Sequence, residues 1–158
     1  MSLENYITSH CFFKWDEVIV SKDYPEIAQR ILLNDTDKNR VRFWVQSCGD
    51  PWRMRYPDYP MIILSGKRNK ELNEKIGGAK DSDHLYANAS DVYAKGMSAE
   101  DFFCSILSMK LPYRQLILHP KSKFVHWSIN VPGRTWKEQI IIMKEDLNEF
   151  ISSRNNHS

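Results

Sequence analysis

The sequence predicts an α+β domain built on a mostly antiparallel sheet with flanking helices. Three observations lead there. Segments with helical apolar spacing dominate the first half of the chain, whereas short apolar runs of strand length cluster after residue 110. The 158 residues suit one domain spanning 1–158, long enough to bury a substantial core. With 42% hydrophobic residues and five Trp, that core has ample material.

Tyr6–Val20 is aromatic and short-patterned, and Tyr6–Phe13 reads as an ordered N-terminal arm. Pro25–Leu33 places Ile27, Ala28, Ile31 and Leu32 at helical spacing, with Asp23 as the expected N-cap and Pro25 in the first turn. Asn39 is expected to cap a second helix that buries Val41, Trp44, Val45 and Cys48 and stops at Gly49. Pro51–Pro60 reads as an aromatic, arginine-rich loop, offering a substrate rim, a contact surface or simple packing. Met61–Leu64, ending in Ser65-Gly66, is a buried strand. A short helix over Arg68–Lys75 closes at Gly77-Gly78, and Ala89–Tyr93 is a further strand.

Ser98–Met109 is the clearest helix. Ser98 caps it, Glu100 and Asp101 favour its first turn, and Phe102, Phe103, Ile106 and Leu107 form its apolar face. Strands follow at Tyr113–Leu118, Lys123–Ile129 and Gln139–Met143. Glu145–Ser153 returns to helical spacing through Leu147, Phe150 and Ile151, and residues 154–158 form a frayed tail.

Charge is nearly balanced, 22 basic against 20 acidic side chains, which argues against nucleic-acid binding. No run approaches the ~20 apolar residues of a membrane span, and the first residues lack the pattern of a signal peptide. Cys11, Cys48 and Cys104 are odd in number and far apart, so neither a disulfide framework nor a cysteine metal site is expected. Cys48 and Cys104 read as buried thiols.

Chemistry concentrates in residues 76–92 and 124–128. His84 and Asp91 lie seven apart, too far for the helical i, i+4 metal pair, and suit a loop entering a strand. In Phe124-Val-His-Trp-Ser, alternation sends Phe124, His126 and Ser128 to one face and Val125 and Trp127 to the other. Should the two strands pair, His84, Asp91 and His126 converge. Two His and one carboxylate are a common ligand set for a catalytic Zn2+ with one position open to water. A hydrogen-bonded His in a strand is the competing reading.

Several motifs extend the pattern: Met61-Ile-Ile-Leu-Ser-Gly-Lys-Arg, Asn73, Ile76-Gly-Gly-Ala-Lys-x-Ser-x-His-Leu, Ala89-x-Asp-Val, Gln115-Leu-Ile and Phe124-Val-His-Trp-Ser. In type, order and spacing they resemble the zinc D-alanyl-D-alanine carboxypeptidases, in the branch common in phage lysins and prophages, within the hedgehog/DD-peptidase fold. The resemblance runs from about residue 6 to about 142. It implies a zinc metallopeptidase acting on peptidoglycan stem peptides, with His84, Asp91 and His126 as metal ligands. It implies that Arg68 holds a substrate carboxylate or polarises the scissile carbonyl, and that Ser82 lines the site. It also implies action at the bacterial cell wall, reached by phage lysis or on a virion, with phage virion partners.

The sequence departs from that family at one chemically important place. The glutamate that usually serves as general base is missing from Leu116-Ile-Leu-His-Pro-Lys-Ser-Lys-Phe-Val, and His119 stands where the phage-type branch tends to carry it. Three readings stand side by side. His119 is the base; the domain has lost catalysis and serves as a virion or wall-binding module; or His119 is a surface turn residue before Pro120. Two smaller departures are Ala87 at a usual glycine, which tightens the backbone there, and Lys67 at a usual aromatic, which alters the substrate wall.

Overall fold

A computed structural model describes residues 2–143. The expected helix over Glu145–Ser153 lies outside the described residues. The five strands are β1 (Met61–Ser65), β2 (Ala89–Ala94), β3 (Gln115–His119), β4 (Phe124–Ser128) and β5 (Gln139–Ile142). They form one sheet in the order β1-β2-β4-β3-β5, antiparallel except for the β3–β5 pair. The α+β architecture is therefore as the sequence predicts.

The helices are α1 (Pro25–Gln29), α2 (Asp35–Trp44), α3 (Asp50–Arg55), α4 (Lys70–Lys75) and α5 (Ala99–Ser108). One sheet face carries the core. Val92, Leu116, Val125 and Trp127 are fully buried there with Phe102 and Ile106 of α5. Each of three fully buried indoles satisfies its N–H: Trp44 donates to the Trp127 carbonyl (3.0 Å), Trp127 to the Pro112 carbonyl (2.9 Å) and Trp52 to Ser105 Oγ (2.8 Å). Buried indoles ordinarily find such partners. The N-terminal arm is ordered as expected, with Ile7 and Phe13 buried and Tyr6 bridged to Lys14.

Four expectations need correction. First, α1 ends at Gln29 and is preceded by Tyr24 rather than capped by Asp23, and Leu32 is exposed. The chain must leave the helix before Asn34, whose extended backbone caps the next one. Second, α2 starts a turn earlier than Asn39. Asn34 accepts from the Asp37 amide (2.8 Å), and Asp37 accepts in return from the Asn34 amide (3.2 Å).

Third, Gly49 does not stop the helix. The chain continues through a π turn, Val45–Gly49, into α3, with the Asp50 amide reaching the Val45 carbonyl. The widened ladder accommodates Pro51, which has no N–H to give. Gly49 serves packing instead, since a Cβ there would lie 2.7 Å from Phe13 Cε2. The 51–60 segment is accordingly half helix. Trp52 is core, and Arg53 binds the carbonyls of Tyr56, Pro57 and Tyr59, so the packing role, one of the three expected, is met. Fourth, Cys48 is buried but Cys104 is exposed, because it lies on the solvent side of α5.

Candidate metal centre

Ladder register brings the remote pieces together. Asp91 of β2 pairs directly with His126 of β4, and Ser65 of β1 pairs with Asp91 from the other side. Strand alternation turns Val92, Val125 and Trp127 into the core and leaves Asp91 and His126 on the opposite face. His84 comes from a 3-10 turn, Asp83–Tyr86, whose N-cap Ser82 accepts from the His84 amide (3.3 Å). That turn ends at Ala87, held at φ +61°. The left-handed backbone there is what a glycine would adopt without cost.

The three side chains converge. Their potential ligand atoms all lie within 4.8 Å of one another, and all three residues are buried. Asp91 Oδ1 is 3.1 Å from His84 Nε2 and 2.9 Å from His126 Nδ1. His84 Nδ1 is 2.7 Å from the Gly66 carbonyl oxygen, which can only accept. The ring proton therefore sits on Nδ1, and Nε2 presents its lone pair to a carboxylate oxygen. Either a second proton or a cation must lie between them. Burial pushes the His84 imidazole towards its neutral form, outweighing the pull of Asp91. Burial also opposes ionisation of Asp91, but the two imidazoles beside it outweigh that and hold the carboxyl far below its ordinary range.

A proton or a metal cation between His84 Nε2 and Asp91 Oδ1 would satisfy both atoms, and the approach of the third side chain, His126, to the same carboxylate oxygen fits a metal. His126 Nε2, buried and without a hydrogen-bond partner among the described residues, adds a polar atom that the protein alone leaves unmet. Two imidazoles and one carboxylate suit zinc.

Arg68 precedes α4 and is largely buried. Its guanidinium reaches Asp91 Oδ2 (3.2 Å), Asn73 Oδ1 (3.3 Å) and Ser65 Oγ (3.0 Å). It thus fixes the second oxygen of Asp91 and leaves Oδ1 to the imidazoles. Two glycines make room for this arrangement. A Cβ at Gly78 would collide with Asn73 Oδ1, and one at Gly66 with the Val18 carbonyl. Lys67 does not form part of the cleft wall. It turns to the Leu85 carbonyl (2.6 Å) and Asp37 (3.3 Å) behind it.

The cleft over these residues has a volume of about 560 Å³ and includes Ser82 and His119 in its lining. His119 ends β3 and stacks on Phe124, ring centroids 4.3 Å apart. The structure thus brings all six sequence-predicted site residues to one cleft.

Sequence reasoning missed the cluster behind His84. Asp83 is buried and accepts from Arg114 Nη1 at both oxygens (2.9 and 2.7 Å) and from Arg134 Nη2 (2.8 Å). Arg134 also reaches Asp81 (2.8 Å), and its guanidinium lies 3.9 Å from the Tyr86 ring centroid. Burial raises the Asp83 pKa, but the hydrogen bonds from Arg134, Ser128 and Arg114 outweigh it and hold the carboxyl below its ordinary value. Arg114 and Arg134 lie 31 and 51 residues from Asp83. The only sequence signal was an aspartate next to a candidate ligand.

The model of the family described as Peptidase M15 matches residues 34–128, a span that contains His84, Asp91 and His126. No curated protein matches the chain.

Proposed function

The chain belongs to the Peptidase M15 family of zinc peptidases, which includes D-Ala-D-Ala carboxypeptidase-like members, and from that premise we propose that it hydrolyses peptide bonds in bacterial peptidoglycan stem peptides. The observation that carries the reading is the convergence of His84, Asp91 and His126, all buried, with their potential ligand atoms within 4.8 Å of one another. His84, Asp91 and His126 hold the zinc. When bound, zinc supplies Lewis acidity to a carbonyl and acidifies water. The Gly66 carbonyl orients His84, and Arg68 orients Asp91, the supporting shell such ligands need.

His119 is the proposed general base. It lines the same cleft, and a neutral imidazole can take a proton from water and return it to the leaving amine. The carboxylates lining the cleft within the described residues are otherwise occupied. Asp91 is the proposed ligand, Asp83 is taken by two arginines, and Asp81 binds Arg134 and the Tyr86 hydroxyl. The peptidase acts at the bacterial wall, delivered by lysis or on a virion.

Equilibrium dialysis with zinc and a muropeptide cleavage assay test these assignments. Wild type is expected to bind one zinc and cleave, His84→Ala to lose the metal, and His119→Ala to keep the metal and lose ~10²–10⁴ in rate. Protein that binds no zinc would overturn the metal centre. Unchanged turnover in His119→Ala would overturn the base. Zinc binding without cleavage across a broad panel would favour a wall-binding or virion module on the same fold.

A further inference from the structure

Four cationic or imidazole side chains besides the two proposed His ligands line the cleft: Arg68, Arg114, His119 and Lys137. Two of them are committed to the protein. Arg68 uses three of its five N–H donors on Asp91, Asn73 and Ser65, and its charge is paired with Asp91. Arg114, 3% exposed, is held by Asp83 and the Thr135 carbonyl. His119 stacks on Phe124. Lys137 is exposed, and its ammonium has no ion-pair partner among the described residues.

Its backbone, by contrast, is fixed. The Asn130 side chain accepts from the Lys137 amide (3.0 Å) and donates to the Lys137 carbonyl (2.7 Å). The same loop is pinned below by Arg134 on Asp81 and Asp83, and beside it by Arg114 on Thr135. An anchored backbone carrying an uncommitted ammonium at a cleft is organised to receive an anion.

Resting on the peptidase reading above, we propose that Lys137 is a specificity-determining residue that receives a substrate carboxylate, the role the sequence had suggested for Arg68. A carboxylate can be supplied by the terminus of the chain next to the scissile bond or by an acidic residue flanking it.

The test uses zinc-loaded wild type, Lys137→Ala and Lys137→Arg with three peptides. One has a free C-terminal carboxylate; one is amidated but carries an acidic residue beside the bond; one is amidated and neutral. Binding of N-acetyl-D-alanine, N-acetyl-D-glutamic acid α-amide and N-acetyl-D-alaninamide is followed in parallel by NMR shift changes, independently of turnover. Wild type is expected to prefer one acid to the neutral amide about tenfold, the worth of one charge-assisted hydrogen bond. Which acid it prefers identifies the source. Lys137→Ala is expected to bring the ratio to about one through KM with kcat unchanged, and Lys137→Arg to preserve it. A ratio near one in wild type, or a preference surviving in Lys137→Ala, overturns the proposal. Acid preference in binding without hydrolysis would count against the catalytic reading and leave Lys137 in place.

Discussion

Replacing Asp83 by asparagine probes the ion cluster beneath the metal centre. The Asp83 carboxylate is wholly buried, and the Arg114 and Arg134 side chains that bind it are 4% and 6% exposed. The amide in Asp83→Asn would keep one acceptor oxygen but turn an NH2 toward a guanidinium, leaving buried positive charge uncompensated. Breaking a buried pair from one side costs about 3–5 kcal/mol, a large share of the roughly 5–15 kcal/mol that holds a domain together. At about 2–4 °C per kcal/mol for a chain of this size, the midpoint should fall by roughly 6–20 °C. Asp81 is the internal control. It binds the same Arg134 but is 75% exposed, so Asp81→Asn should leave the midpoint close to that of wild type. Thermal unfolding followed by circular dichroism measures both. Equal midpoints for the two variants would refute the reading of Asp83 as the buried charge that holds the cluster together.

Zinc at a hundredfold above its Kd should stabilise the protein by about 2.7 kcal/mol, and the gain should vanish on chelation and in His126→Ala; an unchanged midpoint on zinc addition contradicts the centre. Arg68→Ala should weaken zinc binding about 10–100-fold by releasing Asp91, measurable by competition with a chromogenic chelator. Gly66→Ala should destabilise by about 1–3 kcal/mol, because its Cβ meets the Val18 backbone, which cannot swing aside; a chemical denaturation midpoint matching wild type would contradict that. Of three thiols, Cys11 and Cys104 should react with a disulfide reagent in native protein. Cys48 should react only after unfolding, since burial pushes its thiol well above the ordinary value and keeps it protonated.

What the sequence disclosed follows a physical line. The strands and α5 were legible because burial on one face imposes a period, and Val125 and Trp127 lie in the core as alternation requires. Helix starts were less legible. Asn34 and Asn39 are both capable caps, and only the return bond from Asp37 selects the first. Gly49 resembled a stop, yet the close approach of Phe13 explains it. Of the site, the three proposed ligands were found, but their supports were not. In Lys80-Asp-Ser-Asp-His the aspartates counted as unspecified positions. Their importance depends on Arg134, which only the fold brings near. The contact of Arg68 with Asp91 was likewise hidden, because it depends on which oxygen of Asp91 faces which neighbour.

The direct pairing of Asp91 with His126 has a consequence for how this site can vary. Paired strands fix their Cα atoms about 4.5–5.5 Å apart whatever chain intervenes. The separation of these two side chains is thus set by the ladder. They are 35 positions apart in sequence, and the chain between them forms an excursion that can lengthen at its exposed turns. Residues inserted at the 120–123 turn should leave the centre intact, whereas one residue added inside β4 would slip the register and carry His126 to the core face. The distance in sequence between the first two ligands and the third is therefore a poor signature of the site, and the parity of the strand that bears the third is a good one.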